Sequence, residues 1–190
     1  MNKKYHKHFC LLLLVMLLTC CKPGDTTEKA SSNSGYNISA IYFRGDGTSY
    51  IPIDCQSMQL AFEKYDYTDT ILLDSMDISF LKEMPKSLLT SKKTEIIDNR
   101  VMLIDNDTSR IWVTLYDEVI NESGYIIKVS PENIYRLKSL IGYYNYWDME
   151  ALKMENLIEK FGIPKSYKYN KNYSMKKRLI PYCKVLLTTE

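Results

Sequence analysis

Few side chains in this chain can do covalent chemistry, and their placement narrows the choice further. The five cysteines are Cys10, Cys20, Cys21, Cys55 and Cys183, and the two histidines are His6 and His8. Beyond residue 21 there is no imidazole, so a Ser-His-Asp triad, a Cys-His pair or a histidine zinc site cannot be built there. No P-loop or dinucleotide-binding glycine pattern occurs, and seven glycines in all leave little material for a phosphate cradle. Carboxylate chemistry survives, since a glycoside hydrolase needs only two acids about 5 to 9 Å apart. The 23 Asp and Glu residues could supply them, but no spacing singles out a pair. No catalytic residue, metal or cofactor is therefore assigned.

The remaining candidates are binding groups. Tyr143, Tyr144, Tyr146 and Trp147 form the densest aromatic cluster, in a stretch between two expected helices. Flat amphipathic rings on a loop could stack on sugar faces or form a protein hot spot. The competing reading is that several fold under as core, since 16 tyrosines are spread through the whole chain. Residues 165–184 hold seven cations, four tyrosines and no acid. That interleaving suits anionic glycans, lipid headgroups or acidic proteins, or else a solvated loop. Asp105 and Asp107 offer hard oxygen ligands, yet an EF-hand would need Gly where Arg110 stands and Glu where Tyr116 stands. The run from Asp105 to Ser109 reads instead as a polar hairpin tip. Arg44-Gly45-Asp46 matches an adhesion tripeptide and reads as a glycine-flanked turn.

The first residues are more specific. Lys3, Lys4 and Lys7 precede an apolar run from Phe9 to Leu18. A permanent membrane helix takes about 20 apolar residues, so this run reads as an export signal that is removed. Leu17-Leu18-Thr19-Cys20-Cys21 resembles the lipobox of bacterial lipoproteins, in which a cysteine thiol receives diacylglycerol and becomes the first mature residue. Cys21 is the expected lipidation site, because small Cys20 suits the position before it better than branched Thr19 does. Cys20 is the alternative. The leader and the Lys/Asn/Ile/Tyr-rich composition resemble small outer-membrane lipoproteins of Bacteroidetes-type bacteria, over residues 1–35 only. The resemblance implies a cell-envelope protein, lipid-anchored at the outer membrane.

Removing the leader leaves 22 cations against 23 anions, so the net charge falls from +2 to −1. Nucleic acid is not an expected partner, on charge and on compartment. Three regions follow: a signal peptide at 1–20, a lipidated terminus and polar tether at 21–35, and a globular domain at 36–190. The tether spans on the order of 20 Å. Outside the cytoplasm Cys55 and Cys183 are an even pair, each on an expected apolar strand face. They are expected to form a disulfide joining the first strands to the last, with two buried thiols as the alternative.

The elements that must position these groups read as follows. Ile38–Arg44 and Tyr50–Asp54 form a hairpin around Gly45-Asp46-Gly47. A helix capped by Asp54 or Ser57 runs to Tyr65 with Met58, Ala61 and Phe62 inward. Ile71–Leu73 is a short strand, Asp77 caps a helical turn that ends before Pro85, and residues 86–93 are an exposed connector. Glu95–Ile104, Arg110–Tyr116 and Gly124–Val129 are strands. Ser130-Pro131 starts a helix with Ile134, Leu137 and Ile141 inward, closed by Gly142. A second helix runs from Asp148 to Phe161 with Met149, Leu152, Leu157 and Phe161 inward. Leu179–Leu187 is a final strand.

The fold class is α+β: a single domain with a mainly antiparallel sheet covered by several helices. The expected function is a non-catalytic, lipid-anchored binding or accessory protein whose partner is a glycan or an envelope protein. A small cell-envelope hydrolase using paired carboxylates and a lipoprotein inhibitor or immunity protein are the alternatives.

Overall fold

The computed structural model describes residues 38–44, 49–67, 69–92, 97–105, 109–145, 147, 154–165, 167 and 182–189. Cys20, Cys21, Tyr146, Met149, Leu152 and the Gly45-Asp46-Gly47 turn lie outside these residues.

Among the described residues, the chain forms eight strands in one sheet and four helices. The strands are β1 (Ile38–Phe43), β2 (Asp69–Leu73), β3 (Leu89–Lys92), β4 (Asn99–Asp105), β5 (Ser109–Thr114), β6 (Val119–Asn121), β7 (Tyr125–Ile127) and β8 (Tyr182–Thr189). The helices are α1 (Cys55–Lys64), α2 (Ser75–Glu83), α3 (Pro131–Leu140) and α4 (Glu155–Phe161). The sheet order is β2-β8-β1-β4-β5-β6-β7-β3, and every pairing is antiparallel except β2 with β8. The α+β class and the single, mostly antiparallel sheet are as the sequence indicates.

Strand alternation sorts the core into two layers. Ile38, Ala40 and Tyr42 of β1 join Val101 and Leu103 of β4 and Cys183, Val185 and Leu187 of β8 on one face. That face is packed by Ile78 and Leu81 of α2 and by Ile134, Leu137 and Leu140 of α3. Ile41, Phe43, Met102, Ile104 and Trp112 point the other way, under Met58 and Ala61 of α1. β1 is buried along its whole length because both its edges are paired and both its faces are covered. Its near-continuous apolar run is the mark of such a strand.

Several local expectations are corrected. Tyr50–Asp54 is not a strand: β1 pairs with β4 and β8 instead, Tyr50 and Ile51 are fully or largely exposed, and Pro52 has no N–H for a ladder. The cap of α2 is Asp74, whose Oδ1 accepts the Asp77 N–H at 2.8 Å. This starts the helix one turn earlier and frees the Asp77 side chain for other work. The connector at 86–93 contains β3, and β6 lies between β5 and β7 where no strand is read from the sequence. β5 ends at Thr114, leaving Leu115 and Tyr116 exposed. In α4, Leu157 faces solvent, while Ile158 and Phe161 pack on the core.

Helix α3 ends as its sequence indicates. Ser130 Oγ accepts the Asn133 N–H at 3.2 Å at one end. At the other, Gly142 has φ +76°, its N–H donates to Ser139 O and the Tyr143 N–H donates to Lys138 O. This double bond pattern satisfies two carbonyls that the helix leaves open. A Cβ at Gly142 would sit 2.7 Å from Asn145 Nδ2 as well as in the left-handed region. Gly142→Ala is therefore expected to cost about 1 to 2 kcal/mol by denaturant unfolding, mostly from backbone conformation, and to displace Asn145.

Candidate functional site

Of the aromatic cluster, Tyr143 and Tyr144 are core, not surface. Tyr143 and Tyr144 are each 4% exposed. Their rings are used up by neighbours: Tyr42 and Tyr143 centroids are 5.6 Å apart, Tyr143 and Tyr144 5.4 Å, and Tyr144 and Trp147 5.2 Å, all edge-on pairs or close to it. Burial drives the Tyr144 phenol far above its ordinary range. Lys138, itself buried, lies 4.9 Å over the Tyr143 ring and is hydrogen-bonded to Asp117. Trp147 is half-buried, and its carbonyl accepts the Tyr167 hydroxyl at 2.9 Å. The expected sugar-stacking face is thus not present at Tyr143 and Tyr144, because ring faces committed to packing cannot also receive a ligand.

The expected disulfide is not formed. Cys55 and Cys183 are thiols, and the sheet separates them: Cys183 belongs to the layer under α2 and α3, and Cys55 packs with the layer under α1. Cys183 lies on a strand face as expected, but Cys55 is the first residue of α1, on the other side of the sheet. Burial pushes the Cys55 thiol up and outweighs the opposite pull of Asn99 Nδ2, which donates to its sulfur at 3.4 Å, so it is a poor nucleophile at neutral pH. Iodoacetamide labelling under denaturing, non-reducing conditions is expected to modify both thiols, with little labelling of Cys183 in the native fold. A mass unchanged by alkylation of the denatured chain would show a cystine instead.

The open surface of the molecule lies along β2. Among the described residues this edge strand pairs with β8 alone. A cavity of about 370 Å³ is lined by Asp69, Thr70, Ile71, Leu72 and Leu73, with Leu140, Asn145 and Lys165 opposite. Side chains of consecutive strand residues alternate between the two faces of a sheet. A cavity touched by five in a row must therefore follow the unpaired edge of the strand. A second cavity, of about 250 Å³, shares Leu140 and Lys165 with the first and continues past Asp77, Arg136 and Phe161. Together they form one groove from the edge of β2 to the start of α3.

A charged node closes the inner part of that groove. Asp77 is 5% exposed in its side chain, and Arg136 donates to its Oδ1 at 2.8 Å. Lys165 bonds the other oxygen of Asp77 and also Asp74 Oδ2, the latter at 3.0 Å. Arg136 also lies 4.3 Å over the Phe80 ring. Asp74 is held below the usual carboxylate range first by the Asp77 backbone N–H and then by Lys165. Lys165 is pushed up, first by its bond to Asp77 and then by that to Asp74. A depressed carboxyl contributes stability above its unfolded value, about 3.9, that is lost as pH falls through the folded value. A raised lysine contributes stability below its unfolded value, about 10.4, that is lost as pH rises through the folded one.

Asp74, Asp77 and Arg136 are not singled out by the sequence as a site, and Lys165 only as the first residue of the basic stretch at 165–184. Asp74 and Asp77 stand three apart in a visible acid pair, but Arg136 and Lys165 come from 59 and 88 residues beyond Asp77. The basic stretch at 165–184 enters the described residues at Lys165, Tyr167 and its last three positions. Lys184 there is buried: its ammonium donates to Phe62 O at 2.8 Å and lies 3.9 Å over the Phe62 ring. Among the described residues no cluster of His, Cys, Asp and Glu is arranged to hold a metal, and no helix is long and apolar enough to cross a membrane. No protein-family profile, curated protein sequence or solved structure matches the chain.

Proposed function

We propose that this chain is a lipid-anchored binding protein of the bacterial cell envelope, held at the outer membrane through Cys21, and that its ligand lies in the groove along β2. The observation that carries the reading is a groove beside an open strand edge whose buried charges are already satisfied by one another. Asp77 is spent on Arg136 and Lys165, and Asp74 on Lys165 and on capping α2. A groove of this kind offers contact area and fixed polar groups, which is what holding a ligand needs.

A glycosidase needs one carboxyl that keeps its proton near neutral pH. Asp74, held below the usual carboxylate range first by the Asp77 backbone N–H, does not suit that proton-donor role.

The reading is tested in two steps. The full chain with its own leader is expressed in a diderm bacterium fed an alkyne fatty acid, and the mature terminus is read by mass spectrometry. Acylation is expected on Cys21, with loss of label and release to the soluble fraction in Cys21→Ala but not in Cys20→Ala. An unacylated, soluble chain refutes the anchor. Incubation of the purified chain with peptidoglycan and oligosaccharides is expected to release no new reducing ends, and their appearance would favour the hydrolase.

A further inference from the structure

We propose that the ligand is an extended segment of another envelope protein, which adds to the sheet at the edge of β2 that is unpaired among the described residues and carries a basic residue beside Asp69. This rests on the binding reading above and specifies its partner.

The edge itself defines the chemistry. An unpaired strand presents a row of N–H and C=O groups at a fixed spacing of about 3.3 Å per residue, and another extended polypeptide is the structure that matches such a row. The two edges of this sheet differ in how they treat that hazard. β3 is irregular: its register to β7 shifts between Leu89 and Lys92, and it ends in a lysine, both of which blunt an edge. β2 keeps an unbroken five-residue register to β8, has no proline, lysine or bulge, and leaves Leu72 59% exposed. A cavity lies beside this edge, floored by Ile71, Leu73 and Leu140. A side chain directed to that face of an added strand enters apolar surroundings, while its backbone meets β2.

Charge selects the partner. Asp66 and Asp69 are exposed at the start of β2, and the Asp69 carboxylate is engaged only by the neighbouring Thr70 N–H among the hydrogen bonds described. Asp74 stands at the other end. A second copy paired antiparallel about Ile71 would set Asp69 of each chain opposite Leu73 of the other, a carboxylate facing an apolar side chain with no cation across from it. The two-fold symmetry would repeat that mismatch, leaving two carboxylates without a partner charge. A parallel second copy would leave the contact open-ended instead of closing it. A foreign strand with lysine or arginine at the Asp69 end meets neither obstacle.

The test uses the mature chain in detergent micelles and three fluorescent, terminally blocked peptides of sequence Thr-Val-Lys-Leu-Thr-Val-Thr, with Lys kept or replaced by Gln or Glu. Anisotropy is expected to show the Lys peptide binding about fivefold tighter than the Glu peptide at low salt, with the gap closing at high salt. Asp69→Lys is expected to reverse that order, a change of preference that loss of folding would not produce. Hydrogen exchange should slow at the amides of residues 69–73. Equal binding of the Lys and Glu peptides, no binding by any of them, protection elsewhere, or a dimer joined through β2 overturns the proposal. An oligosaccharide retained where the peptides are not overturns the strand and leaves the anchored binder standing, whereas failed acylation removes the anchor without touching the peptide result.

Discussion

Leu137→Ala is expected to remove about 3 to 4 kcal/mol of stability, the largest effect of any single truncation in the helical layer. Leu137 is fully buried between α3 and the sheet, so the void left by its methyl groups has no route to solvent. Leu140, one turn on, is just as buried yet backs onto both cavities of the groove. Its truncation to Ala is expected to cost less, about 2 kcal/mol, because solvent can reach the space. Urea unfolding of the two variants checks the difference. A domain of this size carries roughly 5 to 15 kcal/mol in total, so Leu137→Ala should shift the midpoint strongly. Equal losses at both positions would mean that the groove is closed over Leu140.

The double variant Arg136→Met, Lys165→Met is expected to lose about 2 to 3 kcal/mol at neutral pH. It keeps the apolar stems and removes both charges that face Asp77, leaving a carboxylate that is 5% exposed without a cation. The loss stays at the lower end of what a broken buried pair costs because the two cations are themselves 44% and 60% exposed and so partly screened. Urea unfolding of the variant at pH 7 checks the loss; a midpoint equal to that of the native chain would show that the two cations contribute nothing there. The native chain should itself weaken toward acid, since Asp54, held low first by the Ser57 backbone N–H, and Asp74 both lose favourable interactions on protonation.

The fold class and most helix and strand positions were legible because they are written locally. A cap is a residue three places before its amide, and an amphipathic stripe repeats within one element. α1 with Asp54, α3 with Ser130 and Gly142, and the inward face of β8 all follow from neighbours a few residues apart. The misreadings share one cause. Tyr50–Asp54 looked like half of a hairpin, but β1 is claimed on both sides by β4 and β8, more than fifty residues away in sequence. Cys55 and Cys183 looked like partners, since local alternation tells that a residue is inward without telling which side of the sheet is meant. Tyr143 and Tyr144 looked like a surface because a loop is usually exposed, whereas here the loop folds under the end of α3.

The sequence by itself determined the composition of the binding candidates, the lack of any histidine beyond residue 8, and an α+β domain of helices on a sheet. Only the tertiary structure decided that β2 is an edge, that a groove runs along it, and that Asp77 meets Arg136 and Lys165 inside that groove. Periodicity records the environment of each residue along its own element. Which elements become neighbours depends on burying all their apolar faces at once, and no short stretch of the chain carries that information.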